Sequence, residues 1–222
     1  MQNKLLNRVI IYQGFLKRLI RINTKYIIFY LFFPLIFFIA PVLNNFNLIK
    51  LSDYTLNFSN FKIYQIFTTI LVHVNIKTGV FDYNHLMSNL VGYYLLGFLT
   101  ICFISEFSKK QKINFYTNLF FILPVINFIF HSVVVVGIYK ITKIYFSGFS
   151  LILLALFSFI LLSIIEILTK HHKLAMWVLF FDITVLMCLI PKLFIIPNID
   201  LGHITGYLFG IYLYLRFNNK KG

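Results

Sequence analysis

Six apolar stretches, at 26–43, 86–105, 117–138, 150–168, 174–196 and 201–217, run through most of this chain. Each is long enough to cross a hydrocarbon core of about 30 Å at about 1.5 Å per residue. That pattern leaves few folds open. Hydrophobic residues make up 60% of the 222 and charged residues only 12%. Six acidic side chains cannot solvate a chain with 28 Phe and 14 Tyr, so a water-soluble fold and a disordered chain are both excluded. The reading is all-α and integral to a membrane, with the lipid bilayer as solvent. A formal charge of +14 raises the possibility of nucleic acid. The Lys and Arg residues, however, sit in short loops between the apolar runs, where they act as topology signals, and no nucleic-acid partner follows. Cys102 and Cys188 each lie inside an apolar run, as small buried hydrophobes do, and imply no disulfide framework.

The domain organisation follows from the runs. Residues 1–25 form a basic segment with Leu5, Val9, Leu16 and Ile20 near one helical side and Lys4, Arg8 and Arg18 near another, the pattern of an interfacial helix. A cleaved signal peptide is not expected, because the first run starts only at Tyr26 and carries Pro34 and Pro41. Residues 26–217 make one six-helix membrane domain, and 218–222 a short basic tail. The segment 44–85, rich in Phe, Leu and Ile, is expected to lie in the interface as short helices. Loops on alternate sides of the membrane carry 14 and 6 Lys and Arg, which places both termini in the cytoplasm.

Polar groups inside spans are costly, so each needs a partner, water or a function. His85 and Asn89 stand at i and i+4 at the start of the second span and share a helix face. Gly148-Phe149-Ser150 opens the fourth span, with Ser150 at a helix N-terminus that favours developing negative charge. Taken alone, that serine is more readily an N-cap than a nucleophile. In the sixth span His203, Gly206 and Gly210 share one face, and the glycines let a neighbouring helix approach closely. With the N-terminus inside, all of these polar residues fall near the outer ends of their helices and share one depth. His131, with Asn127 one turn before it, is read as a structural hydrogen bond to a neighbouring helix. His171 and His172, between Lys170 and Lys173, are read as solvated surface.

This combination resembles the rhomboid family of intramembrane serine proteases over residues 62–212. Tyr64-Gln65-Ile66-Phe67-Thr68-Thr69, with His73 beyond it, is similar to the stretch before the family's second helix. His85-Leu86-x-x-Asn89-Leu90 matches its His-x-x-x-Asn motif, and Val91-Gly92-Tyr93-Tyr94 is similar to archaeal members. Gly148-Phe149-Ser150 resembles the helix of the nucleophile, and Gly202-His203-x-x-Gly206-x-x-x-Gly210 the last helix. The resemblance implies a six-transmembrane-helix bundle in which Ser150 is the nucleophile and His203 its base, a dyad with no acidic third member. His85 and Asn89 would stabilise the oxyanion, and Gly206 and Gly210 would serve helix packing. Asp200 is assigned to capping the sixth helix. An alternative register, Tyr145-Phe146-Ser147-Gly148, makes Ser147 the runner-up nucleophile. No cofactor or metal is implied, and the partners would be transmembrane protein substrates, entering past a fifth-span gate near Trp177–Met187. Asp182 within that span has no assigned partner.

Two other readings compete. One is a rhomboid-like protein without protease activity that binds membrane helices, for which Leu151, in place of the family's glycine, is the argument. The other is a haem or metal carrier using the intramembrane histidines, which would leave Ser150 without a task. The sequence assigns neither a substrate nor an oligomeric state.

Overall fold

The computed structural model describes residues 28, 30–75, 80–138, 148–168, 176 and 197–218. The basic segment 1–25, Ser147, His171 and His172, nearly all of the 174–196 span with Asp182 and Cys188, and residues 219–222 lie outside the described residues. Five principal helices are described: α1 (Tyr30–Asn45), α2 (Tyr83–Glu106), α3 (Lys109–Ile138), α4 (Ser150–Leu168) and α5 (Pro197–Asn218). An isolated antiparallel bridge joins Val74 to Phe81. Three of these helices, α2, α3 and α4, are long and apolar enough to cross a membrane. The outward faces of α1, α2 and α3 carry large apolar side chains exposed by half or more, among them Phe32, Val91, Leu95, Phe121 and Val133. A water-soluble surface does not spread apolar side chains this way over several helices, and a bilayer does.

Local sequence explains where the helices start, stop and deform. In α1 the run Phe33–Leu35 tightens to a 3-10 turn at Pro34, whose ring and missing N–H disrupt the regular ladder. The helix ends two residues later than expected, in a Schellman closure: Leu48 N–H donates to the Leu43 carbonyl at 3.0 Å, with Asn47 left-handed at φ 56°. Asp82 caps α2, its carboxylate accepting from His85 N–H at 3.0 Å. A capping box of Ser108 and Gln111 starts α3 at Lys109, eight residues before the apolar run at 117. Within α3 the π-helical stretch Asn118–Ile122 precedes Pro124, which cannot donate to the ladder, and a second one covers Ser132–Ile138. The last helix already includes residues 197–200, ahead of the edge of the apolar run at 201, so Asp200 lies within the helix rather than at its cap.

The segment between α1 and α2 folds as tight 3-10 turns, Leu51–Tyr54 and Phe58–Asn60, and one turn of α-helix, Gln65–Thr68. Side chains hold it together. Buried Gln65 donates to the Asp53 carbonyl at 3.0 Å, and Thr68 Oγ1 to the Tyr54 carbonyl at 2.7 Å.

Helix α4 is central. Of its apolar window 61% is buried inside the structure, against 39% for α2 and 29% for α3. It packs along α5 most extensively and along α2 next, while α5 also lies on α3. Glycines permit the closest of these contacts. A Cβ on Gly206 would collide with the Leu151 carbonyl, and one on Gly210 with the Ala155 carbonyl and Ser158 Oγ, so any larger residue would push α5 off α4. Ser158, fully buried, uses that closeness to donate to the Tyr207 carbonyl at 2.7 Å. At the far end of the same pair, Arg216 Nη1 donates to Asn118 Oδ1 at 3.1 Å and so ties α5 to α3.

Candidate active site

The first turn of α4 is set by the residue before it. Phe149 is fully buried among aromatic rings, with centroids 5.0 Å from Phe37, 5.8 Å from Tyr93 and 6.2 Å from Phe120. Its carbonyl accepts from Ile152 N–H at 3.0 Å and Leu153 N–H at 3.1 Å, so Phe149 occupies the cap position and Ser150 is the first helical residue. The Ser150 hydroxyl is thus spared from capping. It lies 3.1 Å from His203 Nε2, a hydrogen-bond distance between side chains 53 positions apart. Both groups are half-buried.

Gly148 supplies the sharp turn into α4. Its φ of +104° lies in a region that side chains avoid, and a Cβ there would fall 2.5 Å from His85 Cε1. The close approach seats the His85 imidazole against the backbone two residues before Ser150, with Asn89 Nδ2 3.4 Å from the same point. Gly148 N–H donates to the Thr69 carbonyl at 2.9 Å, so the loop segment fixes the turn from the other side. His85, Asn89, Ser150 and His203 are therefore gathered around one backbone turn.

A further member was not assigned a role from the sequence. His73 is 1% exposed, and its Nε2 lies 2.9 Å from Asn89 Nδ2. Its ring meets His85 edge-on at 5.2 Å between centroids and Phe37 at 5.5 Å. Asp82 N–H donates to the His73 carbonyl and Asn75 N–H to the Val80 carbonyl, pairing residues 73–75 with 80–82 and holding His73 beside the start of α2. Burial, and then the nearby His85, pushes the His73 pKa down to about 3, so this imidazole is neutral at physiological pH. Neutral, with Nε2 accepting from the Asn89 amide, it carries its proton on Nδ1, which has no partner among the described residues. The sequence signal was faint, because His73 sits in a loop where no helical period groups it with Asn89.

His131 and Asn127 also border this region. His131 Nδ1 is bonded to the Asn127 carbonyl of its own helix at 2.8 Å. The His131 ring and Asn127 Oδ1 both stand 3.6 Å from where a Cβ on Gly202 would be, one residue before His203. Among the described residues no cluster of three or more His, Cys, Asp or Glu could hold a metal ion. What the arrangement offers is a hydroxyl on a helix N-terminus, an imidazole in reach of its proton, and amide and imidazole donors beside it. The chain matches no protein-family model and no curated protein.

Proposed function

We propose that this protein is an intramembrane serine protease of rhomboid type, hydrolysing peptide bonds in or near transmembrane segments of other proteins. The observation that carries the reading is the 3.1 Å contact between Ser150 Oγ and His203 Nε2. In this reading the chain crosses the membrane six times, the 174–196 run supplying one crossing, with both termini cytoplasmic and the dyad near the external face. His203 takes the proton of Ser150 Oγ as the oxygen attacks the scissile carbonyl, and returns it to the leaving amine. Water then attacks the acyl-enzyme, again through His203, and frees Ser150. The Ser150 N–H, His85 and Asn89 receive the oxyanion. Asn89 Nδ2 carries two protons, one used on His73 and the second left for this task. A substrate helix has its backbone bonds satisfied and must unwind first, so segments weakened by Gly, Pro or polar residues are favoured.

A competing reading, binding of membrane helices without cleavage, draws on Leu151. Its carbonyl packs on Gly206. Cleavage of a reporter transmembrane substrate in proteoliposomes separates the two. Loss of at least about 10³-fold in Ser150→Ala and in His203→Ala, with cleavage retained in Ser147→Ala, is expected. Cleavage undiminished in Ser150→Ala would reject the assigned nucleophile.

A further inference from the structure

Two amide orientations are open to Asn89, and they have opposite effects on a neighbouring oxyanion. Turned one way the residue presents NH2 beside Gly148, and turned the other it presents a carbonyl oxygen that repels negative charge. The two ends are so nearly alike in size that packing alone does not choose between them. The choice needs a partner that only accepts or only donates.

His73 is such a partner. Its Nε2 lies 2.9 Å from Asn89 Nδ2, and the same nitrogen stands 3.4 Å from the point where a Cβ on Gly148 would be. An imidazole with its proton on Nδ1 has a bare Nε2, which accepts from an amide nitrogen and turns away an amide oxygen. Burial keeps the ring neutral, so this acceptor persists at physiological pH. The ring is also fixed in place. It lies edge-on against His85 and Phe37, and the backbone pairing of residues 73–75 with 80–82 holds its main chain. Asp82 ties the two histidines together, its N–H donating to the His73 carbonyl at 2.9 Å and its carboxylate accepting from His85 N–H at 3.0 Å.

We infer that His73 is a positioning residue: its Nε2 holds the Asn89 amide with nitrogen, not oxygen, beside the Gly148 turn, where the oxyanion of the proposed reaction forms. It acts through Asn89 and does not itself touch substrate. The catalytic consequence rests on the proteolytic reading, whereas the amide orientation rests on the hydrogen bond alone.

Two measurements on the full-length chain test it. In ¹⁵N NMR of the protein in detergent micelles, His73 should carry its proton on Nδ1, with a coupling from Asn89 Nδ2–H to Nε2. A proton on Nε2 would overturn the inference, because the amide oxygen would then occupy the place beside Gly148. In cleavage of a reporter transmembrane substrate, His73→Leu, which fills the space without an acceptor, should lower kcat about 10–10²-fold and leave KM within about twofold. His73→Gln, which restores an acceptor, should recover most of that loss. Added to Asn89→Ala, His73→Leu should lower kcat no further. The same loss repeated in that background, a loss confined to KM, or His73→Gln no better than His73→Leu would show packing rather than positioning and overturn the inference. Unaltered protein that cleaves nothing would contradict the protease reading instead, with the proton on His73 still deciding the orientation of Asn89.

Discussion

Ser150 reaches His203 because the turn into α4 leaves its hydroxyl out of the helix cap. The cap of α4 is taken by the Phe149 carbonyl, and the turn is absorbed by Gly148 at φ +104°. Beside them Asn89 Nδ2 donates to His73 Nε2 and stands next to Gly148. Replacing either His85 or Asn89 by Ala should lower kcat by about 10²–10³-fold, the range for loss of one oxyanion donor, while the protein stays folded by circular dichroism. His73 makes a separate statement about pH. Its folded-state pKa, about 3, lies below the ordinary value of 6.5, so between these pH values the unfolded chain binds the proton and the folded one does not. The stability it affects is therefore fully present above pH 6.5 and is lost as pH falls towards 3. Thermal unfolding in detergent should show a midpoint that declines below pH 6.5, and His73→Gln should flatten that decline; an identical slope in the variant would contradict the assignment.

The glycines at 206 and 210 set how closely α5 approaches α4, and they act at different places along the helix. Gly210 packs beside buried Ser158, two turns from the dyad, so Gly210→Ala should cost about 1–3 kcal/mol of stability by overpacking, read from denaturant unfolding in detergent. Gly206 faces the Leu151 backbone, next to Ser150. Gly206→Ala should displace His203 and cut cleavage about 10²-fold, a larger effect on activity than on stability. Both glycines, and the pairing of His85 with Asn89, were legible in the sequence because helical spacing places residues on faces without any knowledge of the tertiary fold. Helix ends were less legible. The apolar run in α3 begins at 117, but the capping box at Ser108 starts the helix earlier, since a polar first turn can project beyond the hydrocarbon. Residues 197–200 similarly belong to α5 ahead of its apolar run. His73 was the least legible member of the site. Its position depends on the backbone pairing of residues 73–75 with 80–82, and such bonds leave no periodic trace.

At the scale of the molecule, a central α4 with α2 and α5 against it explains why the polar residues of three separate apolar runs meet. Helices whose outward faces carry Phe32, Leu95 and Phe121 bury their polar and small residues inward, so the interior of the bundle is where hydroxyl, imidazole and amide collect. Composition alone made the membrane reading legible, because no other solvent accommodates such surfaces. The proposed arrangement of six crossings can be checked by attaching impermeant thiol reagents to single cysteines at residue 2 and at residue 221 in inside-out and right-side-out vesicles. Both should react only from the cytoplasmic side, and opposite reactivity of the two would show an odd number of crossings. The most direct measurement remains at the dyad. Protein in liposomes is treated with a fluorophosphonate probe and the modified residue is mapped by mass spectrometry. Modification at Ser150 that disappears in His203→Ala is the expected result; modification at Ser147, or at Ser150 with undiminished rate when His203 is absent, would contradict a serine activated by that imidazole.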